Sequence, residues 1–200
     1  MGRVRTIGLW GVLAVAIAVP IAAAAASPLL AWRDPVYVAA GFAGIIAMAG
    51  LLVQPLLAGG VMPGLSLRGA RRVHRVMGGF LVVAVVAHVG GLWITSPPDV
   101  IDALLFASPS PFSAWGVIAM WALFATALLA AFRGRLLFRT WRFGHVVLAV
   151  VIAAGTVIHA VQIEGTMETV SKAVLCALIL AATLKVILDL GLFAWRRKSR

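Results

Sequence analysis

The chain has 200 residues and a net charge of +11; 63% of its residues are apolar and only 12% are charged. So much apolar sequence exceeds what a soluble domain of this length needs and is typical of an integral membrane protein. The basic excess could suggest a nucleic acid partner, but the placement of the charges along the chain argues against one.

Long apolar stretches follow one another along the chain, and each supplies the roughly 20 residues that a helix needs to cross a membrane. They predict an all-α fold, an integral membrane six-helix bundle in which residues 1–200 form a single domain. No stretch remains for a soluble domain. The predicted helices lie near residues 7–31, 36–58, 74–95, 113–132, 143–163 and 173–194.

The first apolar stretch also resembles a secretory signal peptide, because two arginines precede it and a run of alanines leads to Ser27. It is longer than the usual apolar core of a signal peptide, which favours a retained first helix. Cleavage would leave the later helices and their orientation unchanged.

Basic residues are concentrated on one side of the predicted six-helix zigzag. Fourteen of the seventeen fall on the side that carries both termini, whereas the opposite side has only Arg33 and Lys172. By the positive-inside rule, the arginine-rich loops and both termini face the cytoplasm. We therefore expect a multi-pass protein in the lipid bilayer of a bacterial-type inner membrane, with no nucleic acid partner. The clustered basic residues are Arg3, Arg5, Arg68, Arg71, Arg72, Arg75, Arg133, Arg135, Arg139, Arg142, Arg196, Arg197, Lys198 and Arg200.

The four histidines form two pairs with one spacing, His74 and His88 in the third predicted helix and His145 and His159 in the fifth. Fourteen residues of α-helix advance about 21 Å and complete almost four turns, so each pair lies on nearly one helix face at two depths. Both helices run outward from the cytoplasmic side and are therefore parallel. This register pairs His74 with His145 near the cytoplasm and His88 with His159 near the outer face.

One imidazole from each of two facing helices is the ligand set of a six-coordinate heme, so the two levels predict two hemes. A lone histidine in a membrane helix is more often bonded to a carbonyl or exposed to a water cavity. Ionisable groups at membrane depth are nevertheless rare and usually functional. A closed zinc site needs about four converging ligands, which this spacing does not supply.

Arginines border the inner histidines and could hold heme propionates by charge-assisted hydrogen bonds. Membrane topology and contacts with lipid phosphate explain any one of them equally well. The candidate cofactor-binding residues, besides the histidines, are Arg71, Arg75 and Trp141.

The segments around the histidines resemble a known family. Residues 72–78 (RVHRVMG), followed by His88, and residues 141–145 (WRFGH), followed by His159, are similar to the ferric reductase-like transmembrane domain. In that family HRxxG opens the third helix and W+xxH the fifth. The resemblance is strongest over residues 70–163. The family includes ferric-chelate reductases, NADPH oxidases and the heme-binding subunit of a bacterial methionine sulfoxide reductase system.

The resemblance implies two b-type hemes in a cytochrome b-like oxidoreductase subunit for electron transport, with His74 and His145 on the inner iron and His88 and His159 on the outer. Electrons would pass to an outer-face acceptor such as ferric iron or a periplasmic redox partner. Large members continue into a flavin and nicotinamide domain, whereas no GxGxxG fingerprint is present here. A separate donor is therefore implied: reduced flavin, a flavoprotein or a quinol.

Two other functions stay open. One is a heme-binding membrane subunit of a periplasmic reductase, as in a methionine sulfoxide reductase system. That subunit is also a short six-helix chain, but it lacks a histidine at the position of His74, which favours a general ferric reductase-like cytochrome. The other is a membrane protein that handles metal ions without redox chemistry.

Overall fold

Seven α-helices and two short 3-10 turns make up residues 3–189, the part of the chain that this computed structural model describes. Six of the helices are long and apolar enough to cross a membrane, and residues 3–189 contain no strand. The predicted all-α six-helix membrane fold is confirmed. The predicted end of the last helix at residue 194 and the basic residues 196–200 lie outside the described residues. The helices are α1 (Arg3–Ala25), α2 (Pro35–Ala58), α3 (Leu67–Thr95), α4 (Pro97–Leu104), α5 (Pro111–Ala131), α6 (Phe138–Gln162) and α7 (Thr169–Asp189).

Helices α3 and α6 begin several residues earlier than predicted. α3 starts at Leu67, where the Ser66 hydroxyl accepts a hydrogen bond from the Gly69 backbone N–H at 3.1 Å, and α6 starts at Phe138. The predicted starts, near residues 74 and 143, follow from the apolar stretches, which begin only after most of the arginines. A helix can continue beyond the hydrocarbon, however. The 29 residues of α3 span about 43 Å, more than a hydrocarbon core of about 30 Å.

The opposite end of the bundle also differs from the prediction. α1 ends at Ala25 rather than near residue 31, since a 3-10 turn over Pro28–Leu30 replaces its last turns. The loop predicted before α5 contains the short helix α4, whose Val100 is buried. Eight residues are too few for helical periodicity to be recognised in a sequence. The end of the bundle that carries α4 is called the outer end below.

Two helical hairpins, α2 with α3 and α5 with α6, have the most extensive contacts between helices. Small residues let the helices of each hairpin approach closely. A Cβ atom added to Gly91 of α3 would lie 2.7 Å from the Cβ of Ala40 in α2, and one added to Gly155 of α6 would lie 3.1 Å from the Cβ of Ala119 in α5. Each histidine-bearing helix is therefore held against its own neighbour.

Helix α7 packs against α2 and α6, and α1 lies beside α7 and α2. The buried face of α7 includes Leu175, Cys176 and Ile179. On its exposed side, the Lys185 ammonium donates to the Asp189 carboxylate in an i,i+4 ion pair. These two charges neutralise each other at the bundle surface.

The close approach of α2 and α3 predicts different effects for two neighbouring glycines. Gly91→Ala should lower the free energy of unfolding, because overpacking costs about 1–3 kcal/mol. Gly90→Ala is the matched control: its added Cβ meets nothing within 4 Å, and alanine favours a helix by about 1 kcal/mol over glycine. Thermal unfolding midpoints in detergent would measure both variants. Equal midpoints would contradict the assigned packing.

Candidate functional site

Two of the histidines, His88 of α3 and His159 of α6, line a cavity of about 550 Å³ at the outer end of the bundle. Helices α2, α3, α5 and α6 supply most of its walls, and most of the wall residues are apolar. A pocket of this size and character is typical of sites for small molecules and cofactors. Two imidazoles on different helices thus share one cofactor-sized space.

Each of these imidazoles is held by a backbone carbonyl of the neighbouring helix. His88 Nδ1 lies 2.8 Å from the carbonyl oxygen of Ala40 in α2, and His159 Nδ1 lies 2.8 Å from that of Phe112 in α5. A carbonyl oxygen only accepts, so Nδ1 is the protonated nitrogen that donates in both rings. Nε2 then keeps its lone pair for a metal ion, which is the usual arrangement of metal-ligating histidines.

A glycine four residues after each carbonyl makes room for the imidazole. A Cβ atom added to Gly44 of α2 would lie 3.0 Å from His88 Nδ1, and one added to Gly116 of α5 would lie 2.7 Å from His159 Nδ1. Helical side chains lean toward the helix N-terminus, so the residue at i+4 covers the carbonyl of residue i. Glycine leaves that carbonyl open. The two hairpins therefore repeat one arrangement of carbonyl, glycine and histidine.

The other two histidines, His74 of α3 and His145 of α6, lie against each other near the opposite, arginine-rich end of these helices. Their ring centroids are 6.1 Å apart and their planes meet at 62°. His74 Nδ1 lies 3.2 Å from the carbonyl oxygen of Gln54 in α2, a longer contact than those of the outer histidines. The structure thus brings together the members of each pair assigned from the sequence.

His145 is positioned by an aromatic ring instead of a carbonyl. Trp141, one turn earlier on α6, stacks on it with ring centroids 5.3 Å apart and planes at 20°. The Arg133 guanidinium lies 4.7 Å from the centre of the Trp141 ring on which it packs. His145 Nδ1 and Trp141 Nε1 are both buried without a hydrogen-bond partner in residues 3–189. Two unpartnered polar atoms at one level indicate a polar group that this part of the chain does not supply.

The spacing of the inner rings fits a metal ion between two imidazoles. A metal–imidazole nitrogen bond is about 2 Å long, and the ring centroid lies about 1 Å beyond the nitrogen, so two rings on opposite sides of one ion have centroids about 6 Å apart. The observed 6.1 Å between His74 and His145 agrees with that distance. Residues 3–189 hold no cluster of three or more His, Cys, Asp or Glu side chains able to bind a metal ion. The side chains that could hold a heme iron are therefore the two histidine pairs.

Gln54 contributes to the inner pair and was not singled out from the sequence. With its amide nitrogen turned toward His74, it donates to His74 Nδ1 at 2.6 Å and accepts from the Gly78 backbone N–H at 2.9 Å. The opposite amide orientation presents oxygen to Nδ1, which a metal-bound His74 requires because its Nδ1 is protonated. The sequence feature that could have identified Gln54 is its position as a polar amide within an otherwise apolar helix.

The predicted cofactor-binding residues other than histidine differ in their surroundings. Trp141 contacts His145 directly. Arg71 and Arg75 are exposed on α3 and form no hydrogen bond or ion pair with the described residues. Neither arginine belongs to the walls of the outer cavity. A role for them in holding a cofactor stays a prediction.

The structure is thus an all-α bundle of membrane-spanning length with two levels of paired histidines on α3 and α6. Comparison with protein families agrees: the family described as ferric reductase like transmembrane component matches residues 40–156, more than half of the chain. The chain belongs to this family, as the sequence analysis predicted. The matched segment includes His74, His88 and His145 and ends three residues before His159. Neither the curated proteins nor the solved structures yielded a match.

Domains of this family generally bind heme, which gives the outer cavity a direct test. Gly116→Ala should displace the His159 ring and break its hydrogen bond to Phe112, lowering heme retention roughly tenfold or more, as loss of partners behind a metal ligand does. Gly90→Ala, on α3 and outside the cavity wall, is the control because its added Cβ meets nothing within 4 Å. Heme per purified chain would be measured as the pyridine hemochrome. Equal heme contents would show that Gly116 makes no room for a ligand.

Proposed function

We propose that this chain is a diheme b-type subunit that carries electrons through the membrane. The donor is a cytoplasmic or membrane-bound reduced flavin, flavoprotein or quinol, and the acceptor at the outer face is ferric iron or a periplasmic redox partner. Family membership suggests transmembrane electron transfer. The observation that carries the finer proposal is the occurrence of two facing imidazole pairs at two depths of α3 and α6.

In this proposal each pair of imidazoles binds one heme, whose iron supplies one-electron redox chemistry. His74 and His145 hold the inner heme, and His88 and His159 hold the outer one. The carbonyls behind the outer rings fix the Nδ1–H tautomer, aim Nε2 into the cavity and raise the basicity of the ligand. Axial ligation, hydrogen bonding and burial are the features by which a protein sets the potential of heme iron.

An apolar layer separates the two levels. Leu81 lies midway between the two histidines of α3, and Ile152 lies midway between those of α6. Both are buried in one cluster with Ala47, Ala84 and other side chains of the central helices. Apolar interiors of this kind stay dry. Leu81 and Ile152 also belong to the wall of the outer cavity, so this cluster forms the apolar floor of the outer site and offers no polar partner to water or to an ion.

The arginine-rich end of the bundle suits an acidic electron donor. Seven arginines are exposed there, on the first three turns of α3, on the segment joining α5 to α6 and in the first turn of α6. Under the positive-inside rule, this basic end supports the proposal that it faces the cytoplasm of a bacterial-type cell together with both termini. The exposed arginines are Arg68, Arg71, Arg72, Arg75, Arg133, Arg135 and Arg139.

Single histidine variants test the diheme proposal and its pairing. His74→Ala and His145→Ala should each remove the inner heme and give matching losses in the reduced-minus-oxidised spectrum, because an iron that loses one of two axial ligands is no longer held as a six-coordinate center. His88→Ala and His159→Ala should together give a second, different loss. If His74→Ala matched His159→Ala and not His145→Ala, the pairing would be wrong. The absence of b-type bands from the wild-type protein would refute the heme proposal itself.

The exposed arginines at the inner end of the bundle, taken as a docking surface for the donor, predict a reduction rate that depends on salt. Reduction by an acidic flavoprotein should slow steeply between low and high ionic strength, because salt shortens the range of electrostatic steering. Reduction by dithionite in stopped-flow mixing is the comparison, since this small reductant does not need the docking surface. Arg135→Gln and Arg139→Gln together should reduce the salt dependence for the flavoprotein. Rapid reduction by NADPH with no flavin or flavoprotein present would contradict the need for a separate donor.

A further inference from the structure

Lys172, in the first turn of α7, is the one charged side chain that is buried among the described residues, with 9% of its surface exposed. It belongs to the wall of the outer cavity. Its ammonium donates one hydrogen bond, at 2.7 Å, to the backbone carbonyl of Ile163. An ammonium has three donors, so this contact leaves two without a protein partner.

No carboxylate of the described residues forms an ion pair with Lys172. The nearest one along the chain, Glu168, is engaged as the cap of α7, where its two oxygens accept from the backbone N–H groups of Ser171 at 2.6 Å and Val170 at 2.7 Å. These bonds, first that of Ser171, hold the pKa of Glu168 below its usual value. Glu164 also lines the cavity but is exposed, so water solvates its charge.

A buried cation without a counter-ion is costly, and buried charges in proteins are normally paired. The N-terminus of α7 adds to the cost, because the helix dipole places partial positive charge beside the ammonium. Arg33, the second basic residue of the cavity wall, is exposed and packs on the Tyr37 ring at 5.0 Å from its centre. The two carboxylates of the cavity wall, Glu164 and Asp99, are both exposed and form no ion pair with Lys172, so no buried negative charge of the described residues balances the ammonium.

We propose that Lys172 is the anchor of a carboxylate-binding site in the outer cavity, with Arg33 as a second, solvent-exposed cation on its wall. A carboxylate accepts charge-assisted hydrogen bonds from an ammonium and supplies the missing counter-charge. Two sources carry this group. One is a propionate of the outer heme, which rests on the proposed function. The other is a free small carboxylate that enters from the outer face, which does not.

The two sources are separated by two probes. Heme-auxotrophic cells that express the full chain would be supplied with heme or with its dimethyl ester, which lacks free propionates, and the porphyrin bound per purified chain would be measured. Binding of citrate to the purified protein would be measured by calorimetry. Loss of a charge-assisted hydrogen bond weakens binding roughly tenfold or more.

Lys172→Met keeps the length of the side chain and removes its charge, and Lys172→Arg keeps the charge. Lys185→Met is the control on the same helix, because Lys185 is exposed and lies outside the cavity wall. If the anchor binds a propionate, Lys172→Met should lower heme retention and leave retention of the dimethyl ester unchanged. If the anchor binds a free carboxylate, Lys172→Met should weaken the binding of citrate and leave the retention of heme unchanged. The Lys172→Arg and Lys185→Met proteins should match the wild type in porphyrin retention and in citrate binding.

Three results would overturn the site. One is a Lys172→Met protein that binds heme and citrate as the wild type does. Another is a Lys172→Met protein that loses heme and the dimethyl ester of heme to the same extent, because such a loss would show that Lys172 acts only in folding or packing. The third needs no variant: a wild-type chain that retains the dimethyl ester as well as heme and does not bind citrate. A chain that binds citrate through Lys172 but no heme would refute the proposed function and leave the carboxylate site standing.

Discussion

The arrangement of the outer site depends on one hydrogen bond that occurs twice, from a histidine Nδ1 to a backbone carbonyl of the neighbouring helix. A carbonyl within a membrane helix already accepts from the N–H four residues later, and the side chain at that position normally covers it. Gly44 and Gly116 remove the cover, so the carbonyl accepts a second bond. The same contact satisfies a polar ring at membrane depth, fixes its tautomer and sets the distance between the helices. The tautomer of each outer histidine and the packing of its helix against the neighbouring helix therefore depend on the same hydrogen bond.

The inner pair departs from this repeated arrangement. Ala58 stands four residues after Gln54, where the outer sites have glycine, and the contact from His74 to the Gln54 carbonyl is correspondingly longer at 3.2 Å. Side chains take over the positioning: the Gln54 amide reaches His74, and Trp141 stacks on His145. Under the proposed function, an inner ligand held by side chains and an outer ligand held by carbonyls would differ in hydrogen bonding, which is one means of setting the potential of heme iron. Two hemes of unequal potential would suit transfer in one direction.

The sequence was sufficient to predict the membrane fold and the positions of the four histidines at two levels of two helices. Both predictions depend on patterns within a single helix. Apolar length defines a span, and a spacing of fourteen residues keeps two side chains on one face. It missed α4 and the early starts of α3 and α6, since a helix outside the hydrocarbon has no apolar pattern to mark it. It also missed Gln54, Gly44 and Gly116. Their roles arise from contacts between residues 20 to 48 positions apart, which no local pattern reveals.

The inner and the outer histidine pair have different surroundings, which suit different partners. The inner pair lies near exposed arginines, where a protein partner can dock, and the outer pair lines a cavity whose wall holds a buried ammonium, Lys172. The side chains around Leu81 and Ile152, between the two levels, are apolar and buried, and they form the floor of the outer cavity. These side chains supply no ligand for an ion, which fits the proposed transfer of an electron between the two levels. Under the proposed function, the donor and acceptor never share a compartment, and the chain couples them only through its two pairs of imidazoles.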